Sequence, residues 1–201
     1  MADTELVVLL YPDGTVAGSL DKSLVHHSET PLHLAFSCYV FDTDNRLLMS
    51  QRALSKLTFP GLWTNSVCGH PLPGETVEAA AARRCKDELG LVLTDLRLIL
   101  PTFAYRAEMN GLVENEMCPV LMAIVAPGAL TTPDPAEVEA TNWVPWAEVV
   151  RDTQSGTLAL SPWCLTQIDL LDQLGPEPAG WPTGAVELLP AALRTDGDIH
   201  T

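Results

Sequence analysis

Residues 58–73 constrain the fold more than any other stretch of the chain. Pro60, Gly61, Gly69, Pro71 and Pro73 fall within it, so neither a helix nor a long strand runs through. Regular elements bracket it, with a strand at 46–52 before it and a helix at 76–89 after it. In that helix Val77, Ala81, Cys85 and Leu89 form an apolar stripe and Ala80, Arg84 and Glu88 the adjacent one. Gly90 then falls just past the end, where positive φ suits glycine. Irregular backbone held between two rigid elements is well placed to present a site. Its Cys68-Gly69-His70 sets a thiol two residues before an imidazole.

Elsewhere the pattern alternates strand and turn. Residues 5–11 are rich in Leu and Val, Pro12-Asp13-Gly14 turns, and 15–20 completes a hairpin; 21–31 is polar, carries His26 and His27, and reads as a loop. A strong strand at 32–42 puts Leu34, Phe36, Cys38 and Val40 on one face and His33 on the other, then turns at 42–45 into 46–52. Two further strands, 96–106 and 112–126, flank an Asn110-Gly111 turn. If 113–119 is extended, Glu114 and Glu116 share one face, because side chains repeat every two residues. The thiol, the imidazole and these two carboxylates then read as one reaction centre. A short strand at 142–144, a helix opened by Pro145 through 150, and a final helix headed by Ser161, Pro162 and Trp163 complete the regular part. No internal repeat is present. The pattern predicts a mixed sheet with helices on both faces, an α/β/α sandwich, as one domain over 1–174. A Pro- and Gly-rich tail over 175–201 is expected to be mobile or draped over the domain, with order only at 185–193.

A chain of 201 residues with 47% apolar content can bury a sizeable core. No run approaches the roughly 20 apolar residues of a membrane span. The opening Met-Ala-Asp-Thr-Glu lacks the features of a secretory signal, so a cytoplasmic location is expected. Twenty-six acidic against eleven basic side chains give a formal charge of −15, which argues against nucleic-acid and anionic-lipid partners. Lys22, Arg46, Arg52, Lys56, Arg83, Arg84 and Lys86 all lie in the first half, forming either a local pocket for a small anion or a solvated basic face. Five cysteines without a CxxC pair suggest neither a disulfide framework nor a cysteine zinc site.

Gly69-x5-Glu75-x7-Arg83-Arg84-Cys85-Lys86-Asp87-Glu88-Leu89-Gly90-Leu91 follows the spacing of the Nudix box, GX5EX7REUXEEXGU with U aliphatic. It departs at Arg84, where a glutamate is expected, and at Asp87, the first of the final acidic pair. Nudix carboxylates gather the magnesium that activates water, so a cation at 84 argues against pyrophosphate hydrolysis. With Leu32-His-Leu-Ala-Phe36, Arg52-Ala-Leu-Ser-Lys56, Pro60-Gly-x-Trp63 running into Thr64-Asn-Ser-Val-Cys-Gly-His-Pro71, Val113-Glu-Asn-Glu116 and Ser161-Pro-Trp163, the chain up to about Trp163 resembles type I isopentenyl-diphosphate isomerase. Nothing is carried over to the tail.

That resemblance implies a Nudix-like sandwich and the interconversion of isopentenyl and dimethylallyl diphosphate. A proton is added to the terminal alkene carbon and another removed from the second carbon, through a tertiary carbocation. It assigns Cys68 and Glu116 to the two proton transfers, Tyr105 as a hydroxyl donor to the glutamate, and Trp163 as the aromatic facing the cation. Taken alone, Cys68 fits an inert buried thiol, Tyr105 a sheet-edge aromatic and Trp163 a core aromatic. His26, His33, His70, Glu114 and Glu116 match the family's ligands for an ion such as Mn²⁺, Mg²⁺ or Zn²⁺, with His27 the solvated neighbour and His200 spare. Lys22, Arg52, Lys56 and Arg84 match its diphosphate contacts, and Glu88 the holder of a bridging Mg²⁺. Arg83 and Asp87, at i and i+4, are expected to form a helix ion pair. The expected partner is a small molecule and the expected state a monomer. A Nudix hydrolase of nucleoside diphosphates and a non-catalytic diphosphate-binding module are the competing readings.

Overall fold

The computed structural model describes residues 5–194. Among them β1 (Leu6–Leu10) and β2 (Val16–Asp21) form the expected hairpin, and α1 (Lys22–Val25) is a single turn where a loop was expected, capped by the Asp21 side chain on the Ser23 amide. The chain continues through β3 (His33–Leu34), β4 (Phe36–Asp42), β5 (Arg46–Arg52), β6 (Trp63–Thr64), β7 (Val67–Gly69) and α2 (Val77–Leu89). After these come β8 (Leu96–Leu100), β9 (Ala104–Met109), β10 (Leu112–Met117), β11 (Val120–Val125), β12 (Val138–Pro145), α3 (Trp146–Gln154) and α4 (Pro162–Asp172).

One sheet runs β2-β1-β3-β10-β9 and the other β12-β5-β4-β11-β8, with β6 and β7 attached to β5 and β4. The second sheet is covered on both faces. Phe36, Cys38, Val40, Leu48 and Leu121 pack on Val77, Ala81, Cys85 and Leu89 of α2. Tyr39, Phe41, Leu47, Met49 and Met122 pack with Trp146 and Val149 of α3 and Trp163, Cys164 and Ile168 of α4. This is the α/β/α sandwich, with side chains alternating between two buried faces. In α2 the Thr76 side chain accepts from the Ala79 amide, and Gly90 ends the helix at φ 69°, where an added Cβ would also crowd Thr132.

Three long strands of the sequence reading divide in two. Residues 32–42 split at Ala35 and 112–126 at Cys118-Pro119, and both segments pass from one sheet to the other side by side. β3 and β10 pair in parallel, His33 against Glu116, and so do β4 and β11. The Ala35 amide on the Met117 carbonyl and the Ser37 amide on the Pro119 carbonyl carry the pairing across the junction. Residues 96–106 likewise divide between β8 and β9, in different sheets. β12 is longer than the expected 142–144; it is an edge strand, half exposed, without a clear apolar alternation.

The segment after Gly175 is ordered as far as Arg194, in single 3-10 turns at Pro178–Gly180, Val186–Leu188 and Ala191–Leu193. Order is therefore not confined to 185–193. Trp181 is 2% exposed, stacked edge-on against Phe41 and Trp146 at 5.4 and 5.5 Å, and its indole N–H donates to the Gly175 carbonyl at 2.9 Å. Leu189 and Leu193 join the α2 side of the core. Expectations for 195–201, including His200, lie outside the described residues.

Candidate active site

Strand β4 pairs with β5 only at Phe41–Leu47, and the two then diverge. Into this fork fits Thr64-Asn65-Ser66, three polar residues at most 4% exposed. Buried backbone groups left open by a fork need partners. Ser66 Oγ accepts from the Val40 amide at 2.7 Å and donates to the Leu48 carbonyl at 2.6 Å. Asn65 Nδ2 donates to the Cys38 and Val67 carbonyls at 3.0 and 2.8 Å. Because the amide nitrogen is committed, Asn65 Oδ1 must face the other way, where it accepts from Thr64 Oγ1 at 2.9 Å and from the Cys68 thiol at 3.1 Å. Cys68 on β7 is thus held as a donor, with Ser37 Oγ 3.5 Å from its sulfur. Burial pushes the thiol up to about 11, against the hydrogen bonds of Ser37 and Asn65 and the charge of Arg52, so Cys68 is neutral at physiological pH. The fork residues were quoted from sequence as part of a motif but given no role. A Thr-Asn-Ser run in a loop reads as solvent-facing, and no local signal says otherwise.

Beside Cys68, the sheet junction gathers His26, His33, His70 and Glu116, with one potential ligand atom from each within 4.8 Å of the others. The three imidazole centroids stand 5.3 to 5.8 Å apart. Glu116 Oε1 lies 3.2 Å from His33 Nε2 and 3.5 Å from His70 Nε2. His33 Nδ1 sits 2.9 Å from the Pro31 carbonyl and donates to it, so Nε2 donates to Glu116 when the ring is protonated and turns a lone pair toward the cluster when it is neutral. Buried nitrogens of His26 and His70 have no hydrogen-bond partner. Burial, helped by the other two imidazoles, drives His26 down to about 4; burial also lowers His70 despite Glu116. Burial opposes ionisation of Glu116, yet His33 and His70 beside it hold its carboxyl well below the usual range. Burial works against a charged His33, but Glu116 outweighs it and raises the ring, so without a metal that ring shares a proton with the carboxylate. Once neutral, as ligation requires, the three imidazoles beside an ionised carboxylate, with the His26 and His70 nitrogens unpartnered, fit a divalent metal.

Glu114 does not join that group. Its Oε2 accepts from the Tyr105 hydroxyl at 2.8 Å, so Tyr105 serves Glu114 here and not Glu116. Register explains the choice only in part. Glu116 stands directly opposite Tyr105, but it is drawn toward His33 and His70, while Glu114 lies within the tyrosine's diagonal reach. Burial and the charge of Glu116 raise Glu114, and burial keeps Tyr105 well above its usual value and therefore a donor. Trp163, 2% exposed, lies 5.4 Å from the Tyr105 ring, and the Arg52 guanidinium carbon sits 5.4 Å from the Trp163 centroid. The indole already faces one cation. Ser161 lacks a side-chain cap bond and pairs with Thr64 Oγ1 at 2.9 Å instead, tying α4 to the fork.

Cys68, His26, His70, Glu114, Glu116, Tyr105 and Trp163 line one cavity of about 570 Å³, with Lys22, Arg52, Lys56, Arg84 and Glu88. That size suits a small ligand. The cavity takes four of the seven cations noted in the sequence. Arg46 bonds Asp42 at its own turn. Arg83 does not pair with Asp87: its guanidinium grips both oxygens of Glu75 at 2.8 and 2.7 Å, and Glu75 also accepts from the Leu72 amide at 2.9 Å. The forked bond latches the site loop to α2, which accounts for the glutamate and arginine of the box. Gly69 leaves room for Arg84, since a Cβ there would stand 3.1 Å from Arg84 Cγ. Arg84 pairs with Glu88 and approaches Glu137 at 3.5 Å; Lys56 also binds Glu137, and Lys22 binds Glu5 at 2.8 Å. Glu5 and Glu137 were not anticipated, because each lies more than fifty residues from the arginine it approaches.

The NUDIX domain model matches residues 31–164. An isopentenyl-diphosphate Delta-isomerase of Rhizobium rhizogenes is 47% identical over 197 residues, 98% of this chain and 94% of that one. The enzyme of the same name from Saccharopolyspora erythraea is 49% identical over 193 residues, covering 94% of this chain and 96% of its own. The chain belongs to the isopentenyl-diphosphate Delta-isomerase family. Because the first alignment spans 197 residues, the likeness to this family reaches into the segment after Gly175. Solved structures show the same fold at low identity. A Deinococcus radiodurans protein aligns with a TM-score of 0.64 at 16% identity over 83% of this chain and 98% of its own. The MutT protein of Methanosarcina mazei gives 0.57 at 17% over 72% and 96%.

Proposed function

We infer that the chain is an isopentenyl-diphosphate Delta-isomerase that moves the double bond between the terminal and internal positions of its five-carbon substrate. The observation that carries the mechanism is that Cys68 and Glu116 open onto one cavity whose lining also holds the basic residues. Lys22, Arg52, Lys56 and Arg84 bind the diphosphate, and the hydrocarbon lies between the thiol and the carboxylate. Cys68, protonated at rest, and Glu116 exchange the two protons. One adds to the alkene and the other leaves the neighbouring carbon, so the tertiary cation is never exposed to water. The Trp163 ring and the neighbouring carboxylates stabilise positive charge without capturing it.

His26, His33, His70 and Glu116 are the residues to hold a divalent ion, with Glu114 as candidate fifth donor from the same strand face. Mn²⁺, Mg²⁺ and Zn²⁺ all suit that donor set, and the bound ion supplies positive charge that tunes the acidity of Glu116. Glu88 is the residue to hold a Mg²⁺ that offsets phosphate charge. Tyr105 keeps Glu114 in place through its hydrogen bond. The cavity is complete within one chain, which supports a monomeric working unit, and the reading places it in the cytoplasm, where its five free cysteines stay reduced. The test is incubation with isopentenyl diphosphate and Mg²⁺, with and without a chelator, and resolution of the two isomers. Metal-dependent conversion is expected. Binding without conversion points to a non-catalytic module, and phosphate release from nucleotides to a hydrolase.

A further inference from the structure

Each cation around Arg84 is already matched by a carboxylate. Lys22 is bonded to Glu5 at 2.8 Å, Lys56 to Glu137, and Arg84 to Glu88, with Glu137 at 3.5 Å and Glu5 at 4.0 Å from the same guanidinium. These six residues all line the cavity, three cations against three carboxylates; burial raises Glu88, but with its carboxyl ionised on Arg84 the network is neutral as a whole. Arg52 stands apart, over Trp163 and on the Thr58 carbonyl. The pairs are partly to largely shielded: Glu5 and Glu137 side chains are 27% and 23% exposed, Arg84 11% and Glu88 10%. Burial opposes ionisation of both Glu5 and Glu137, but their lysine partners outweigh it and keep them charged.

A neutral network is an unusual receptor for a polyanion. A diphosphate brings about three negative charges, and to reach Lys22, Lys56 and Arg84 it must displace or face Glu5, Glu137 and Glu88. A divalent cation travelling with it removes two of those charges and gives the displaced carboxylates a new counter-charge. We propose that Glu5 and Glu137 make diphosphate binding conditional on a divalent cation, by neutralising the clamp whenever the cation is absent. They are specificity-determining residues: they exclude bare anions and admit the metal-bound diphosphate. The inference rests on the diphosphate assignment made above and adds the reason for carboxylates in the clamp beyond Glu88.

The test is calorimetric binding of inorganic pyrophosphate, with Mg²⁺ present and with it withheld, to the full chain, to E137Q and E5Q, and to E108Q as an exposed control outside the cavity. The unaltered chain should bind at least about tenfold more tightly with Mg²⁺. E137Q and E5Q should each tighten Mg²⁺-free binding by about tenfold and shrink the Mg²⁺ dependence, with E108Q unchanged. Using two independent carboxylates keeps the test decisive should one variant fold poorly. An unchanged Mg²⁺ dependence in both variants, or an equal gain in E108Q, overturns this inference and leaves the diphosphate assignment standing. No pyrophosphate binding by the unaltered chain under either condition overturns both.

Discussion

Asn65→Ala tests whether the fork between β4 and β5 holds the thiol in place. The amide is fully buried and donates to the carbonyls of Cys38 and Val67, while its oxygen accepts from Thr64 and Cys68. Truncation leaves two buried carbonyls without these donors, at about 1–3 kcal/mol each. Some relaxation in the small cavity left behind offsets part of that, so a loss of about 3 kcal/mol in unfolding free energy is expected. With typical domain stabilities of about 5–15 kcal/mol, the variant stays folded. Urea unfolding measures the loss, and isomer-resolved turnover measures the consequence for Cys68. Turnover should fall at least about tenfold while pyrophosphate affinity in Mg²⁺ holds, because Arg84 and Glu88 stand on α2 with their own pairs. A stability loss under about 0.5 kcal/mol, or unchanged turnover, refutes the reasoning.

Three further outcomes follow from the same geometry. Arg84→Met strands the buried Glu88 carboxylate and should cost about 3–5 kcal/mol; adding Glu88→Gln should restore most of the stability but none of the Mg²⁺-dependent pyrophosphate binding, as a double-mutant cycle by urea unfolding and calorimetry will read. Trp181→Ala should cost about 3–5 kcal/mol in urea, since the ring fills the core between Phe41 and Trp146; a negligible loss contradicts the packing of the C-terminal segment. Removing metal with a chelator should lower the melting temperature and abolish turnover, both restored by adding divalent metal back, whereas His70→Ala should show no such thermal response. An identical chelator shift in His70→Ala contradicts the imidazole site.

Legibility in the sequence followed the length and one-sidedness of each pattern. Strand β5 emerged with its observed bounds and helix α2 with one extra residue, its N-cap Thr76, because a 3.6-residue stripe closed by Gly90 and a strand led in by the Asp42–Asn45 turn leave little room for other ends. The breaks at Ala35 and Cys118-Pro119 did not, since β4 and β11 are buried on both faces and an apolar run through a sheet change looks like one strand. Pro119 was the available sign, as it removes a ladder donor. Cys68, Glu116 and the histidines were found because their chemistry is conspicuous and their motifs match a family. Asn65 and Ser66 were given no role because buried polar residues that satisfy a fork look like loop residues, Ser37 because a strand serine carries no sign of the thiol it faces, and Glu5 and Glu137 because only the fold brings them to Arg84.

The account depends on Cys68 and Glu116 exchanging protons with one alkene inside a shared cavity. Incubation with isopentenyl diphosphate in D₂O, followed by NMR of the allylic product, reads that exchange directly. The account predicts deuterium in the new methyl group with the full chain, and none with Cys68→Ala or Glu116→Gln while both variants remain folded and still bind pyrophosphate in Mg²⁺. Deuterium incorporation at the unaltered rate in either variant contradicts it.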